Sequence, residues 1–216
     1  MLFRSGSNVM LIHSGKADEK RYADSLSVLV KAQKDLSYSA VQWTSKNDLN
    51  QRLSTTKKNV LISLYNQDKQ RNMLYVSSLL NQMGGLKKNP AILFGSEDWL
   101  DYPNIDYNYL ERLSFHYADN LYLDPNNYMH NQFVNEFISE YKIAPNSRFA
   151  PVGYDLIIHF VTGVSQKNEK FWEKPNVSPP DALRPTNYKR VNPTDGFENH
   201  RNFFYKIVDF KPSAVN

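Results

Sequence analysis

Cysteine is absent from this 216-residue chain, which excludes disulfides, thiolate catalysis and cysteine-ligated zinc while leaving the redox compartment open. No run approaches the roughly 18 apolar residues of a membrane-spanning helix, so no membrane span is expected. Met1-Leu2-Phe3-Arg4-Ser5-Gly6 carries no apolar region ending in a cleavage site, and no export signal is expected there. An excess of one charge is also missing: 26 Lys and Arg against 22 Asp and Glu leave a net +4. The basic residues are scattered, and pairs such as Lys57-Lys58, Lys87-Lys88 and Lys189-Arg190 read as solvated surface, so no nucleic-acid partner is expected. His13, His116, His130, His159 and His200 show no metal-binding spacing, and no metal or cofactor is expected. There is no phosphate-binding glycine loop, and Phe94-Gly95-Ser96-Glu97 has only half of a nucleophile elbow. Glu97, Asp98 and Asp101 lie close in sequence, but carboxylates clustered in a loop are usually solvated or capping rather than an acid–base pair. No catalytic residue is assigned, and the chain is not expected to be an enzyme.

What is present is ordinary for a soluble globular chain, 41% hydrophobic and 22% charged, with many aromatics: 14 Tyr and 12 Phe. Its organising stretch is Pro90-Ala91-Ile92-Leu93-Phe94-Gly95-Ser96-Glu97-Asp98-Trp99. Residues 91–94 form an apolar run too short for a buried helix and bounded by turn residues, the pattern of a buried parallel strand. Ser96, Glu97 and Trp99 then stand at its carboxyl end, where open α/β sheets bind ligands. The same residues also suit a plain strand-to-loop turn with a packed Trp.

Read in order, strands are expected at 8–13, 38–43, 59–64, 91–94 and about 113–117. A helix from 17 or 18 to 33 would turn Tyr22, Leu26, Leu29 and Val30 inward, and a short helix is expected near 48–53. A further helix would be capped by Asp68, carry Met73, Val76, Leu79, Leu80 and Met83 inward, and stop at Gly84-Gly85. Alternation of this kind predicts an α/β fold with a doubly wound parallel sheet and flanking helices. Asp124-Pro125-Asn126-Asn127 then punctuates, followed by helices over 131–141 and from Gly153-Tyr154-Asp155 through Val161, with a break at Ala144-Pro145-Asn146-Ser147. Beyond Gly163 five prolines before residue 194 predict an irregular excursion. The aromatic segment 203–209 reads as a strand, with Pro193-Thr194-Asp195-Gly196 as the hairpin turn before it and 189–191 as its partner. The expected division is 1–120 as a ligand-binding lobe, 121–165 as crossover helices, and 166–216 as the Pro-rich excursion and hairpin.

Several of these residues, taken in order, resemble the C-terminal portion of a type I periplasmic solute-binding protein of the branched-chain amino-acid receptor family. They are the strand Val9-Met10-Leu11-Ile12-His13, the strand Asn59-Val60-Leu61-Ile62-Ser63, the turn Phe94-Gly95-Ser96-Glu97, the aromatic helix from Phe133 to Tyr141, Pro145, Ala150 and Gly153-Tyr154-Asp155. The likeness runs over about 8–163. It implies a bilobed, ABC-transporter-type substrate-binding protein of the periplasm or cell envelope that traps an amino-acid-like solute between lobes without chemistry. It also implies that an N-terminal lobe precedes Val9, so that the helices of 121–164 would expose apolar faces, with self-association as a consequence.

The functional expectation is therefore non-catalytic binding or sensing of a small polar solute, with Ser14, Tyr65, Asn66, Ser96, Glu97 and Trp99 at adjacent strand ends. Tyr65 and Trp99 would stack on the ligand, Trp99 with one ring face exposed, and Glu97 would pair with an ammonium group. Two alternatives stand beside it: a ligand-free interaction module of an envelope protein, and a flavodoxin-like enzyme or regulator domain.

Overall fold

The computed structural model describes residues 6–33, 35–44, 49–84, 91–120, 123, 127–146, 149–177 and 179–215. The turn residues Gly85, Pro90, Asp124, Pro125, Asn126 and Ser147 lie outside them. The chain divides into two compact units, Met1–Ala118 with Phe204–Asn216, and Asp119–Phe203. Its strands are β1 (Ser7–His13), β2 (Ser37–Gln42), β3 (Lys58–Ser63), β4 (Ala91–Ser96), β5 (His116–Ala118), β6 (Tyr188–Arg190), β7 (Phe197–Asn199), β8 (Phe204–Val208) and β9 (Lys211–Ala214). Its α-helices are α1 (Ala17–Lys31), α2 (Lys69–Gly84), α3 (Tyr107–Arg112), α4 (Tyr128–Tyr141) and α5 (Ala150–Lys167).

The first unit is an α/β sheet of order β2-β1-β3-β4-β5-β8-β9, parallel through its first five strands. All seven residues of β1 are buried, as a strand with neighbours on both edges and helices over the sheet requires. The β1-to-β2 and β3-to-β4 connections run in opposite directions along the sheet, so the right-handed crossover rule puts α1 and α2 on opposite faces. Asp68 caps α2 as expected, its Oδ1 accepting from the Arg71 amide at 3.0 Å. Val76, Leu79, Leu80 and Met83 are buried beneath α2. A polar staple holds the other edge of the sheet: Asn8 Nδ2 donates to Asn59 Oδ1 at 3.0 Å, and Ser37 Oγ donates to Asn8 Oδ1 at 3.0 Å.

Two local expectations are corrected. The inward face of α1 is Glu19, Ala23 and Val30, whereas Tyr22 and Leu29 are exposed. The Glu19 carboxylate on that inward face is hydrogen-bonded inside, as described below. The strand at 203–209 exists as β8, but it does not pair with 189–191. Residues 188–190 pair instead with 197–199 as a separate antiparallel hairpin, and β8 joins the main sheet antiparallel to β5. It then turns back on β9 through Asp209 and Phe210, both at positive φ, 49° and 62°. This is the backbone of a tight primed hairpin turn, hidden from sequence inspection by the lack of glycine or asparagine.

In the second unit, α4 starts at Asn127, whose side chain accepts from the Met129 amide at 2.9 Å, and it ends on Lys142 in the left-handed conformation. No described residue of α4 is buried. Tyr141 on α4, Phe149 at the start of α5, and Ile157 and Val161 on α5 are all more than 60% exposed, so both helices carry exposed apolar side chains. Beyond α5, Phe171 is fully buried and packs against Gly163, where a methyl group would meet its ring at 2.1 Å.

Candidate functional site

The order β2-β1-β3 makes the β1–β3 boundary the point where the chain changes direction along the sheet, and the carboxyl ends of these strands are where an α/β crevice forms. Ser14 and Gly15 follow β1. Gly15 has φ +100°, and a side chain there would strike the Gln42 amide, at 2.5 Å. Tyr65 and Asn66 follow β3, and Ser96 ends and Glu97 follows β4, which pairs directly with β3. Five of the six expected site residues thus sit at three successive strand ends.

Sequence reasoning missed the residue that ties two of these ends together. Glu19, only 4% exposed, accepts from the Ser14 amide and from Ser14 Oγ at 2.8 Å, and from the Asn66 amide at 3.0 Å. A buried carboxylate needs this many donors to offset lost hydration. Lys16 Nζ donates to the Asn66 carbonyl at 2.5 Å, closing a second bridge over the same gap. The only trace in the sequence is an acidic residue in the first turn of α1, a pattern that ordinarily means helix-dipole compensation.

Beside this polar bridge lies an aromatic wall. The ring of Tyr65 stacks on that of Tyr75 with centroids 4.0 Å apart, and Trp43 meets Tyr75 edge-on at 5.0 Å. Tyr75 is buried and its hydroxyl lies 2.7 Å from Ser63 Oγ. Burial holds its phenol far above the ordinary range, and burial likewise raises that of Tyr65. Both phenols are therefore uncharged hydrogen-bonding groups, and Tyr65 and Trp43, each half-buried, offer ring surface to solvent.

Trp99 is elsewhere. Its ring is 3% exposed, stacked on Phe115 at 5.2 Å and edge-on to Tyr75 at 6.2 Å. The half-exposed indole expected from sequence is not found. The reason lies in Gly95, where a side chain would approach the Trp99 ring at 2.7 Å and Phe115 at 2.9 Å, so the missing Cβ lets the indole fold under β4. Ser96 caps the single 3₁₀ turn that carries Trp99, accepting from the Asp98 amide at 3.3 Å, and donates to Glu97 Oε2 at 3.3 Å. Glu97 is half-buried at this edge. His13 is buried at the end of β1, where its Nδ1 finds no hydrogen-bond partner among the described residues, and Nδ1 of His116 engages the Ser114 carbonyl. Among the described residues no group of three His, Asp or Glu is placed to hold a metal ion, and no helix is long and apolar enough to cross a membrane.

The first unit is thus an open α/β sheet domain with a polar and aromatic strand-end edge at its switch point. No family model matches the sequence, and no curated protein matches it. Among solved structures the chain is distantly similar to LivJ, the substrate-binding protein of the branched-chain amino acid transporter from Streptococcus pneumoniae str. Canada MDR_19A, solved in complex with isoleucine. The TM-score is 0.44 at 10% identity, over 98% of this chain and 60% of that one. The chain therefore spans less than two thirds of that protein's length, and a likeness at this level says nothing about what this chain binds.

Proposed function

We propose that the chain binds a small polar solute, amino-acid-like in size, at the carboxyl edge of β1, β3 and β4, without chemistry on it. The observation that supports this is the joining of Ser14 and Asn66 through Glu19 beside the solvent-facing rings of Tyr65 and Trp43. Glu19 neutralises the strand-end amides and keeps the edge rigid, so recognition falls to its rim. Tyr65 and Trp43 supply the apolar contact, and Glu97 the charge for an ammonium group. Trp99 supports Tyr75 from below rather than touching ligand. The sequence resemblance adds a cell-envelope location and a transport-linked role to the proposal.

The test is chemical-shift mapping of the chain with a panel of free amino acids and short peptides, since this readout reaches millimolar affinities. Saturable shifts centred on 14–16, 64–67 and 96–98 are expected, weakened about tenfold or more by Tyr65→Ala and by Glu97→Ala. No saturable shift with any member of the panel, or both variants within twofold of wild type (about 0.4 kcal/mol), overturns the assignment.

A second reading, an interaction module, is favoured by the apolar faces of α4 and α5. It predicts concentration-dependent association by light scattering, reduced by Ile157→Glu and Val161→Glu, which change exposed positions and leave the helix intact. A monomer at all accessible concentrations would count against it.

A further inference from the structure

The second unit contains a cavity of about 240 Å³ that takes no part in the strand-end site. Its apolar wall is Val152, Leu156 and Phe203, and its polar wall is Arg184, Tyr188 and Arg201. We propose that it binds a small organic monoanion, a carboxylate carried on an apolar or aromatic body.

The argument is one of charge and donor count. Asp155 is the carboxylate lining the cavity, and both of its oxygens are already engaged. Its Oδ1 accepts from the Leu183 amide at 2.7 Å, and its Oδ2 from Arg184 Nε at 2.8 Å. Arg184 is held on its other side by the Asn120 carbonyl, at 3.2 Å from Nη1. That pair is neutral overall and rigid. Arg201 is different: its guanidinium lies over the Phe203 ring at 5.2 Å, and among the described residues no carboxylate pairs with it. The remaining lining is rich in donors. Asn199 Oδ1 accepts from both the Asn187 and Arg201 amides at 3.0 Å, which fixes the side-chain NH₂ as the end with no partner among the described residues. Thr186 and Tyr188 add hydroxyls, and burial keeps the Tyr188 phenol protonated. His159 is buried, and burial lowers its pKa, so it brings no compensating charge.

One uncompensated cation among neutral donors matches a single negative charge. Arg201 in particular presents a planar fork suited to a carboxylate. Phe203, Leu156 and Val152 match an apolar remainder. The volume lies below the span of drug-sized pockets, about 300–1,000 Å³, so the ligand is small.

Titration of the full chain with sodium benzoate and sodium hexanoate at constant ionic strength, followed by chemical shifts, tests this against benzamide and benzylamine. Benzoate is expected to saturate in the low-millimolar range, about 1–10 mM, with shifts centred on 184–188 and 199–203. Arg201→Gln, an exposed position, should weaken it about tenfold. Leu156→Trp should fill the cavity and abolish binding. Tyr65→Ala should leave it unchanged, which separates this cavity from the strand-end site. The proposal falls if benzamide binds as tightly as benzoate, if Arg201→Gln stays within twofold, or if benzoate does not saturate.

Discussion

Trp99→Ala is expected to destabilise the first unit by about 3–5 kcal/mol, the range for truncating a large buried aromatic side chain. The indole bridges Tyr75 on α2 and Phe115 ahead of β5, and it sits under Gly95 of β4. Its loss leaves a cavity between α2 and the strands β4 and β5, and the parallel β4–β5 pairing holds the strand side in place, so collapse to fill the space is limited. Denaturant unfolding, followed by resonances of β1 and β3, gives the measurement. Trp99→Phe should cost distinctly less because it keeps the stack on Phe115. A loss below about 1 kcal/mol for the alanine variant, the level of an ordinary substitution, would show that the ring is not part of the core and would return Trp99 to the list of recognition residues.

Asp155→Ala should cost the second unit a comparable amount, about 3–5 kcal/mol, because it strands the Arg184 guanidinium in a largely buried position and removes the acceptor of the Leu183 amide. Both side chains of the pair are about a tenth exposed, so solvent can relieve little of the unpaired charge. Loss of hydrogen-exchange protection over 183–188, with the β1 and β3 amides unaffected, is the expected signature. Combining Asp155→Leu with Arg184→Met should recover much of the loss, since it removes the stranded charge as well as its partner. A double variant no better than Asp155→Ala would place the cost in the lost backbone cap rather than in the ion pair.

Much of the first unit was legible because its cause is local. The apolar runs at 8–13, 59–64 and 91–94 carry the length and bounding residues of buried strands. The spacing of Val76, Leu79, Leu80 and Met83 selects the buried face of α2, and Asp68 marks its start. Parallel order then follows from strand–helix alternation and crossover handedness, without any knowledge of contacts. Placement of Ser14, Tyr65, Asn66, Ser96 and Glu97 at neighbouring strand ends followed from the same rules.

The rest depended on contacts distant in sequence. Whether Trp99 faces solvent or core turns on how closely Phe115 approaches Gly95, twenty residues away. Glu19 reads as a surface residue of a helix until Asn66, 47 residues on, brings its amide within reach, and the face of α1 that carries Glu19 is the buried one, with Tyr22 and Leu29 outside. The partner of β8 is β5 rather than the nearby 189–191, because Asp209 and Phe210 turn the chain back on β9 while 197–199 has already taken the hairpin edge. The cavity of the second unit was invisible for the same reason: its charge balance is set by Asp155 reaching Arg184 across 29 positions, which leaves Arg201 with no carboxylate partner among the described residues. The sequence by itself determined which segments become strands and helices, since hydrophobic period and capping act within a few residues. Only the tertiary structure decided which polar and aromatic side chains remain available, because that depends on which partner reaches each of them first.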